Sequence, residues 1–493
     1  MAMFRITALT LTVFLAGCAS KPSDRLEQQL TQQILAAGFA PEQVALVVRP
    51  VTAAALTPPA SAAITHNADL LMQPASTLKL LTSAVALDQL GPLWRGSTEL
   101  LADGADLAQA RHSGVLHQPL FVRGKGNPDL NHAAVMALLA ELYNEGVREL
   151  RGGIVLDRSW FQPQLPDPTL PPFDGSPRAR YNHIPDALAL DQQMLLMKFK
   201  SNATELKLTT LPLLHDLQLR SELRLSDTPC DQFNPDLVAL SEHPRPDGTV
   251  QLVLRGEFPR HCEFAEEAAW LSPDLLWQLS VTQSWRQLGG RLNSPLRIVA
   301  GSTPADAVVV ANHQSRPLPQ LVQQVNKSSD NGLTRILALQ LGRLASADVM
   351  KAGSDTSQAA EQVVMQWLAQ QQIPTAGLVL DNGSGLSRKA RISANQLAAL
   401  LQLAWQQPWG PDLTSSLPRA GMDGTLQNRL KNTAAFDQAR LKTGTLRNAT
   451  GLAGYVYDRQ GRPWIFVGLV NAEQGVSKGR SLLDLWVQQV SQF

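Results

Sequence analysis

A serine and a lysine three residues apart, Ser76 and Lys79, are the first residues of the chain that could carry out chemistry together. The apolar residues between positions 78 and 90 recur at roughly helical spacing and stop at Gly91-Pro92, which is typical of a helix that ends there. Residues three apart share one face of a helix. A lysine whose pKa is lowered by burial and nearby positive charge can take the proton of a serine hydroxyl. The spacing therefore predicts a nucleophilic serine at the start of a helix, with a lysine as its base.

The Ser-x-x-Lys spacing is a weak signal by itself, because a chain of 493 residues should contain roughly two such matches by chance. A capping serine followed by a surface lysine is the alternative. Two later stretches, Ser329-Asp330-Asn331 and Lys442-Thr443-Gly444, complete in order the motif set of the serine β-lactamases and penicillin-binding proteins. Another Ser-x-Asn, Ser393-Ala394-Asn395, opens a predicted helix and is interpreted as its N-cap. The three motifs together predict acyl transfer from a peptide that ends in a carboxylate.

Three of these residues are predicted to be catalytic. Ser76 would attack the carbonyl carbon, and Lys79 would take its proton. Ser329 would relay that proton to the leaving amine. Asn331 would hold the amide side of the substrate and orient the lysine.

The stretch of residues 442–445 is predicted to bind the substrate along a strand. Lys442 would supply positive charge for the terminal carboxylate, and Thr443 would add a hydroxyl donor. Gly444 would let the substrate lie against the strand edge with no Cβ in the way. The backbone N–H groups of Ser76 and Thr445 would form an oxyanion hole, in which one donor typically contributes about 3 kcal/mol to lowering the barrier.

Further stretches resemble the D-alanyl-D-alanine carboxypeptidase/endopeptidase family of the penicillin-binding protein 4 type. The resemblance spans roughly residues 30 to 490, and beside the nucleophile helix it is carried by residues 124–130, 181–182, 326–331, 381–388, 424–426 and 442–445. Asn127 and Arg335 depart from that pattern, because acidic residues are common at both positions in the family.

The resemblance implies an exported serine peptidase that acts on peptidoglycan stem peptides. Such an enzyme removes terminal D-alanine, cleaves D-alanyl-meso-diaminopimelate cross-links, or does both. It also implies that β-lactams acylate Ser76, since they mimic the scissile bond, and that no cofactor is needed. Two alternatives remain open at this point: a β-lactamase or esterase on the same fold, and a catalytically silent envelope protein that binds peptidoglycan.

Strands near both ends of the sequence, with helices between them, predict an α/β fold with one layered domain made from two segments, residues 31–95 and 300–493. Residues 96–299 would then be an insertion, with a smaller β-rich unit at about residues 185–265. The resemblance implies that the layered domain is β-lactamase/transpeptidase-like, an antiparallel sheet flanked by helices, and that the second unit is nested inside the first insertion.

The first residues are predicted to direct export rather than to fold. A short apolar run after Arg5 leads to Leu15-Ala16-Gly17-Cys18, which resembles a bacterial lipobox. Residues 1–17 would be the signal peptide, Cys18 would carry lipid, and residues 18–30 would form a polar tether. This predicts a periplasmic protein anchored to the outer membrane. Ordinary signal cleavage near Ala16 or Ala19 is the alternative.

If Cys18 carries lipid, Cys230 and Cys262 are the two remaining cysteines. In an oxidising compartment they would form a disulfide. Two free buried cysteines are the alternative. No cysteine and histidine cluster has the spacing of metal ligands, so the sequence predicts no metal. The net charge of +1 gives no indication of nucleic-acid binding. The predicted partners are peptidoglycan and β-lactams, with membrane contact only through the Cys18 anchor.

Overall fold

The computed structural model describes residues 22–52, 63–165, 172–292, 295–345, 355–473 and 475–493. Within these ranges the chain has a mixed α/β architecture with several sheets, which confirms the predicted class in its coarse form. The predicted signal peptide and Cys18 lie outside the described residues. None of the helices in the described ranges is long and apolar enough to cross a membrane.

Eleven helices occur in the described ranges. They are α1 (Pro22–Ala36), α2 (Lys79–Gln89), α3 (Gly104–Ser113), α4 (His132–Asn144), α5 (Pro273–Gln287), α6 (Leu318–Lys327), α7 (Asn331–Gly342), α8 (Thr356–Gln370), α9 (Ala394–Gln406), α10 (Gly410–Ser416) and α11 (Val476–Val490).

The strands are grouped near both ends of the chain and in its middle. They are β1 (Val44–Pro50), β2 (Ile64–His66), β3 (Ser97–Ala102), β4 (Val115–Leu116), β5 (Leu120–Lys125), β6 (Glu149–Leu150), β7 (Ile154–Asp157), β8 (Leu195–Ser201), β9 (Leu206–Leu211), β10 (Leu217–Ser226), β11 (Ala239–Pro244), β12 (Val250–Pro259), β13 (Glu263–Ala268), β14 (Arg291–Leu292), β15 (Ile298–Ala300), β16 (Val308–Gln314), β17 (Ala439–Leu446), β18 (Ala449–Tyr457) and β19 (Pro463–Asn471).

The first sheet combines strands from both ends of the chain in the order β17-β18-β19-β1-β2, and all neighbouring strands are antiparallel. Successive side chains of a strand point to opposite faces. Ala45 and Val47 of β1 pack in one apolar layer with residues of α2, α7 and α9, whereas Leu46 and Val48 pack in another with residues of α1 and α11. The first five residues of β1, Val44 to Val48, are all apolar and buried because helices cover both faces of this sheet.

Helix α1 occupies most of the segment that the sequence predicts as a polar tether. Leu30 and Ile34 are buried and share an apolar layer with Trp486 of α11. Residues four apart lie on one face of a helix, so this pair attaches α1 to α11. The tether stays a prediction, with the addition that its residues from Pro22 onward are helical.

The second sheet has the order β15-β7-β5-β3-β16 and is built mainly from the predicted insertion. Strand β15 pairs in parallel with β7, and β16 pairs antiparallel with β3. The sequence predicts a return to the first domain at residue 300, but both strands still belong to this sheet. The return comes only after Gln314, because the β-branched run Val308-Val309-Val310 continues the sheet as an edge strand.

Two three-stranded sheets, β10-β12-β11 and β13-β8-β9, occupy the segment predicted as a nested β-rich unit. At its centre Phe199 contacts the rings of Phe233, Phe258 and Phe264, with ring centroids 5.3 to 6.1 Å apart. A disulfide joins Cys230 to Cys262, with their Cα atoms 5.3 Å apart. The division of the chain into domains otherwise stays a prediction.

Candidate active site

Ser76 lies in a 3₁₀ turn, Ala75–Leu78, that runs directly into helix α2. The backbone of Ala75 has a φ of 48°, a left-handed conformation that costs a non-glycine residue about 1–3 kcal/mol and that clusters at functional sites. Ala75 and Thr77 are buried, whereas Ser76 is partly exposed. The turn therefore holds the serine hydroxyl toward solvent on a fixed backbone.

Lys79 is completely buried, and its ammonium group has three hydrogen-bond acceptors. Its Nζ donates to Ser76 Oγ at 3.0 Å, to Asn331 Oδ1 at 2.6 Å and to the carbonyl oxygen of Ser384 at 2.5 Å. An ammonium has three N–H donors, so this set satisfies all of them. The structure thus brings together the serine, the lysine and the asparagine that the sequence assigns to the site.

The surroundings of Lys79 favour its neutral form. Burial holds the pKa of Lys79 well below its usual value, the positive charges of Lys442 and Arg335 lower it further, and Asp330 opposes the shift. Desolvation and like charges both disfavour the protonated amine. Once neutral, Nζ carries a lone pair that can accept the Ser76 proton over the same 3.0 Å contact.

Ser329 lies in a break between two helices, not inside one. The sequence predicts a mostly helical stretch from residue 317 to 341, but α6 ends at Lys327 and α7 begins at Asn331. Ser329 has a φ of 60°, and the side chain of Asp330 caps α7 by accepting from the Leu333 N–H at 2.9 Å. The prediction is wrong here because an aspartate that caps a helix starts a new one in the middle of an apolar pattern that continues across the break.

Lys442 of strand β17 faces this break. Its Nζ donates to Ser329 Oγ and to the carbonyl oxygen of Thr443, both at 2.9 Å. Burial lowers the pKa of Lys442 to about 7. The next residue, Thr443, donates from its hydroxyl to Thr425 Oγ1 at 2.7 Å. Two serine–lysine pairs therefore line one site, one on the nucleophile turn and one between α6–α7 and β17.

Strand β17 can approach the nucleophile turn because residue 444 is a glycine. A Cβ added to Gly444 would lie 2.7 Å from the Pro74 carbonyl oxygen and 3.1 Å from the Ser76 nitrogen. Real Cβ atoms essentially never come within 3.0 Å of another atom. Thr445, the last predicted site residue on this strand, has an exposed side chain and accepts a hydrogen bond from Arg480 Nη2 at 3.0 Å.

A segment that precedes β8 forms another wall of the site. Asn331 Nδ2 donates to the carbonyl oxygen of Tyr181 at 3.0 Å, and Arg335, one turn further along α7, donates to the carbonyl oxygen of His183 at 2.7 Å. Burial lowers the pKa of Arg335 to about 10, against the opposing charge of Asp381, so its side chain remains a buried cation. Helix α7 thereby fixes the segment of residues 181–183 over the catalytic groups.

The loop of residues 381–388 supplies a backbone hydrogen-bond acceptor for Lys79, which no side-chain motif could predict. Its Ser384 is buried; the Ser384 hydroxyl donates to Asn382 Oδ1 at 2.7 Å, and the Ser384 backbone carbonyl oxygen accepts from Lys79 Nζ at 2.5 Å. A Cβ on Gly385 would lie 1.9 Å from the Ala75 carbonyl oxygen. The family resemblance covers this loop, but no chemical role was predicted for its residues from the sequence.

The described part of the chain contains no group of three or more His, Cys, Asp or Glu residues that could hold a metal ion. The disulfide-bonded Cys230 and Cys262 belong to the β-rich unit, and none of the hydrogen-bonding partners of Ser76, Lys79 or Lys442 comes from that unit. The side chains that the described contacts bring together are those of Ser76, Lys79, Ser329, Asn331 and Lys442.

A serine hydroxyl in contact with a buried lysine, on a strained turn beside a strand edge, defines a serine hydrolase. The chain belongs to the D-Ala-D-Ala carboxypeptidase 3 (S13) family, whose family model matches residues 26–490. The predicted resemblance is thereby confirmed, and the chain is a serine-type D-Ala-D-Ala carboxypeptidase.

Individual relatives agree with this assignment. The D-alanyl-D-alanine carboxypeptidase of Actinomadura sp. (strain R39) is 30% identical over 409 residues, which cover 79% of this chain and 71% of the relative. The carboxypeptidase DacB of Haemophilus influenzae is 26% identical over 411 residues, 82% of each chain. The crystal structure of penicillin-binding protein 4 from H. influenzae matches 94% of this chain and 99% of its own, with a TM-score of 0.74 and 23% identity. That structural likeness shows the fold alone.

Proposed function

We propose that Ser76 forms an acyl-enzyme with peptidoglycan stem peptides that end in D-Ala-D-Ala, and that Lys79 is the base that activates it. The observation that carries the proposal is the 3.0 Å contact between Lys79 Nζ and Ser76 Oγ at a lysine with a lowered pKa. A hydroxyl becomes an effective nucleophile when an adjacent base can take its proton.

In the acylation step Ser76 Oγ bonds to the carbonyl carbon of the penultimate D-alanine while its proton passes to Lys79 Nζ. The bond from that carbon to the leaving nitrogen then breaks. The leaving amine takes a proton from Ser329 Oγ, and Lys442 Nζ, 2.9 Å from that oxygen, returns one to it. In deacylation the oxygen of a water molecule bonds to the ester carbon, and one water proton passes through Ser329 Oγ to the now neutral Lys442 Nζ. The bond from that carbon to Ser76 Oγ then breaks, and Lys79 Nζ returns its proton to Ser76 Oγ over the 3.0 Å contact.

Negative charge develops on the carbonyl oxygen during attack, and the N–H groups of Ser76 and Thr445 stabilise it. Preorganised donors of this kind are typically worth about 3 kcal/mol each. The absence of a Cβ on Gly444 supports this role, because strand β17 approaches the Ser76 nitrogen as closely as a glycine permits. Lys442, Thr443 and Thr445 bind the terminal carboxylate of the substrate.

The same acyl-enzyme serves an endopeptidase reaction if the leaving amine belongs to a cross-linked diaminopimelate. The H. influenzae penicillin-binding protein 4 has been crystallised in complex with a β-lactam, which supports covalent capture of this chain by the same class of compound. We assign the first sheet and its helices to the β-lactamase/transpeptidase-like fold, interrupted by an inserted domain with a β-rich unit nested in it. Separation of the products from a pentapeptide and from a cross-linked dimer would measure the two activities.

The periplasmic location and the lipid anchor on Cys18 belong to the same proposal. Their support is the apolar run that ends in Leu15-Ala16-Gly17-Cys18 and the peptidoglycan substrate. The mass of the mature N-terminus distinguishes a lipidated Cys18 from cleavage near Ala16 or Ala19. An unmodified cysteine in the membrane-free fraction would contradict the anchor.

The decisive experiment is intact-protein mass spectrometry after incubation with benzylpenicillin, for the wild type and Ser76→Ala. We expect one stable adduct on the wild type and none on the variant. An adduct retained by Ser76→Ala would overturn the nucleophile assignment. Penicillin consumed without an adduct would indicate a β-lactamase, and neither adduct nor consumption would indicate a silent binding protein.

A further inference from the structure

Arg480, in the first turns of helix α11, contacts the strand that carries the substrate-binding motif. Its Nη2 donates to Thr445 Oγ1 at 3.0 Å, and both side chains are exposed to solvent. A guanidinium carries five N–H donors, and among the described residues the bond to Thr445 takes one of them. The guanidinium therefore lies at the Thr445 end of strand β17 with N–H donors left for a ligand.

The position of Arg480 follows from tight packing between α11 and the first sheet. A Cβ on the preceding residue, Gly479, would lie 2.6 Å from Thr450 Cγ2, so the helix can lie this close only with a glycine there. Thr450 is the direct partner of Thr445 in the β18–β17 ladder. The residue next to Gly479 is therefore held over the end of the motif strand.

The hydrogen bond from Arg480 also determines in which direction the Thr445 hydroxyl can donate. Because Thr445 Oγ1 accepts from Arg480, its own proton is free to point away from the guanidinium and toward a ligand. Lys442 has less capacity for a ligand, since its Nζ already donates to Ser329 Oγ and to the Thr443 carbonyl oxygen. The strand end thus offers a hydroxyl donor and a guanidinium side by side.

We propose that Arg480 is a specificity-determining residue that binds the terminal carboxylate of the substrate together with Thr445. A carboxylate accepts two parallel N–H bonds from a guanidinium, and an arginine keeps its charge at every pH at which the enzyme works. The proposal rests on the function proposed above, and it adds the group that distinguishes an acidic chain end from a neutral one.

The test compares acylation by benzylpenicillin with acylation by its methyl ester, which lacks the carboxylate. For Arg480→Gln we expect the second-order acylation rate with benzylpenicillin to fall about fivefold, the size typical of an exposed ion pair. The rate with the methyl ester should stay at the wild-type value. Arg480→Lys should lose less than Arg480→Gln, and the loss should shrink at high salt, which screens exposed charges.

Arg447→Gln is the matched control, because Arg447 is also exposed and follows the same strand; it should acylate at the wild-type rate with both compounds. Equal losses with acid and ester in Arg480→Gln, or no loss with the acid, would overturn the role of Arg480. These outcomes leave the proposed function standing as long as the wild type is acylated on Ser76. A wild type that neither compound acylates would overturn both.

Discussion

Gly444→Ala tests whether catalysis depends on the close approach of strand β17 to the nucleophile turn. The added methyl would lie 2.7 Å from the Pro74 carbonyl oxygen, whereas ordinary contacts begin at 3.4 Å, so strand and turn must separate by about 0.7 Å. The proposed oxyanion hole is made from one N–H group on each side of this contact. A misplacement near 1 Å can cost about 100-fold in rate, and removal of one oxyanion donor costs about as much.

We therefore expect acylation by a fluorescent penicillin to slow about 100-fold in Gly444→Ala, measured as a pseudo-first-order rate on the purified protein. Overpacking should also lower the free energy of unfolding by about 1–3 kcal/mol, which leaves the protein folded. Gly175→Ala is the control, because a Cβ there meets no heavy atom within 4 Å. A folded Gly444→Ala variant that acylates within threefold of the wild-type rate would refute the argument from strand proximity.

Two further predictions concern the two serine–lysine pairs. Ser329→Ala should slow acylation by about 10²–10⁴-fold, the usual contribution of a positioned proton-transfer group. The control is Ser328→Ala, which removes a neighbouring hydroxyl bonded to the Gln324 carbonyl oxygen and should acylate at the wild-type rate. Equal rates in both variants would contradict the proton relay through Ser329. Acylation should fall as pH drops through the lowered pKa of Lys79, because the protonated amine cannot accept a proton. In Arg335→Gln one of the charges that lower this pKa is lost, so the acidic limb of the pH–rate profile should move to higher pH; an unmoved or downward-shifted limb would contradict the electrostatic account.

The sequence predicts well those parts of the site that consist of side chains at fixed spacing. Ser76 and Lys79 needed only helical periodicity, and β17 could be read as a strand because it alternates and ends in Lys442-Thr443-Gly444-Thr445. The order of the three motifs then gave the reaction class. These features are local, so each one is visible without knowledge of how distant segments meet.

The features of the fold and the site that were not predicted from the sequence depend on contacts between distant segments or on backbone atoms. The carbonyl oxygens of Ser384 and Tyr181 bind Lys79 and Asn331, but every residue has a carbonyl, so no residue type marks them. The break before α7 was hidden because apolar residues recur on both sides of it at helical spacing. The strand Val308–Gln314 was missed because its pairing partner lies about two hundred residues earlier, in β3.

The site also shows why its residues come from segments so far apart. Lys79 and Lys442 are fully buried, and burial of a cation without a paired carboxylate is costly. The charge of Lys442 is among the causes that lower the pKa of Lys79, so Lys442 makes the Lys79 amine a more available base, whereas the pKa of Lys442 itself is lowered by burial. Backbone and side-chain oxygens from α7, the loop of residues 381–388 and β17 accept their hydrogen bonds in place of carboxylates. A carboxylate in contact with Lys79 would stabilise its protonated form and remove the base. Neutral acceptors from separate elements satisfy the hydrogen bonds of the buried lysine and still allow it to lose its proton.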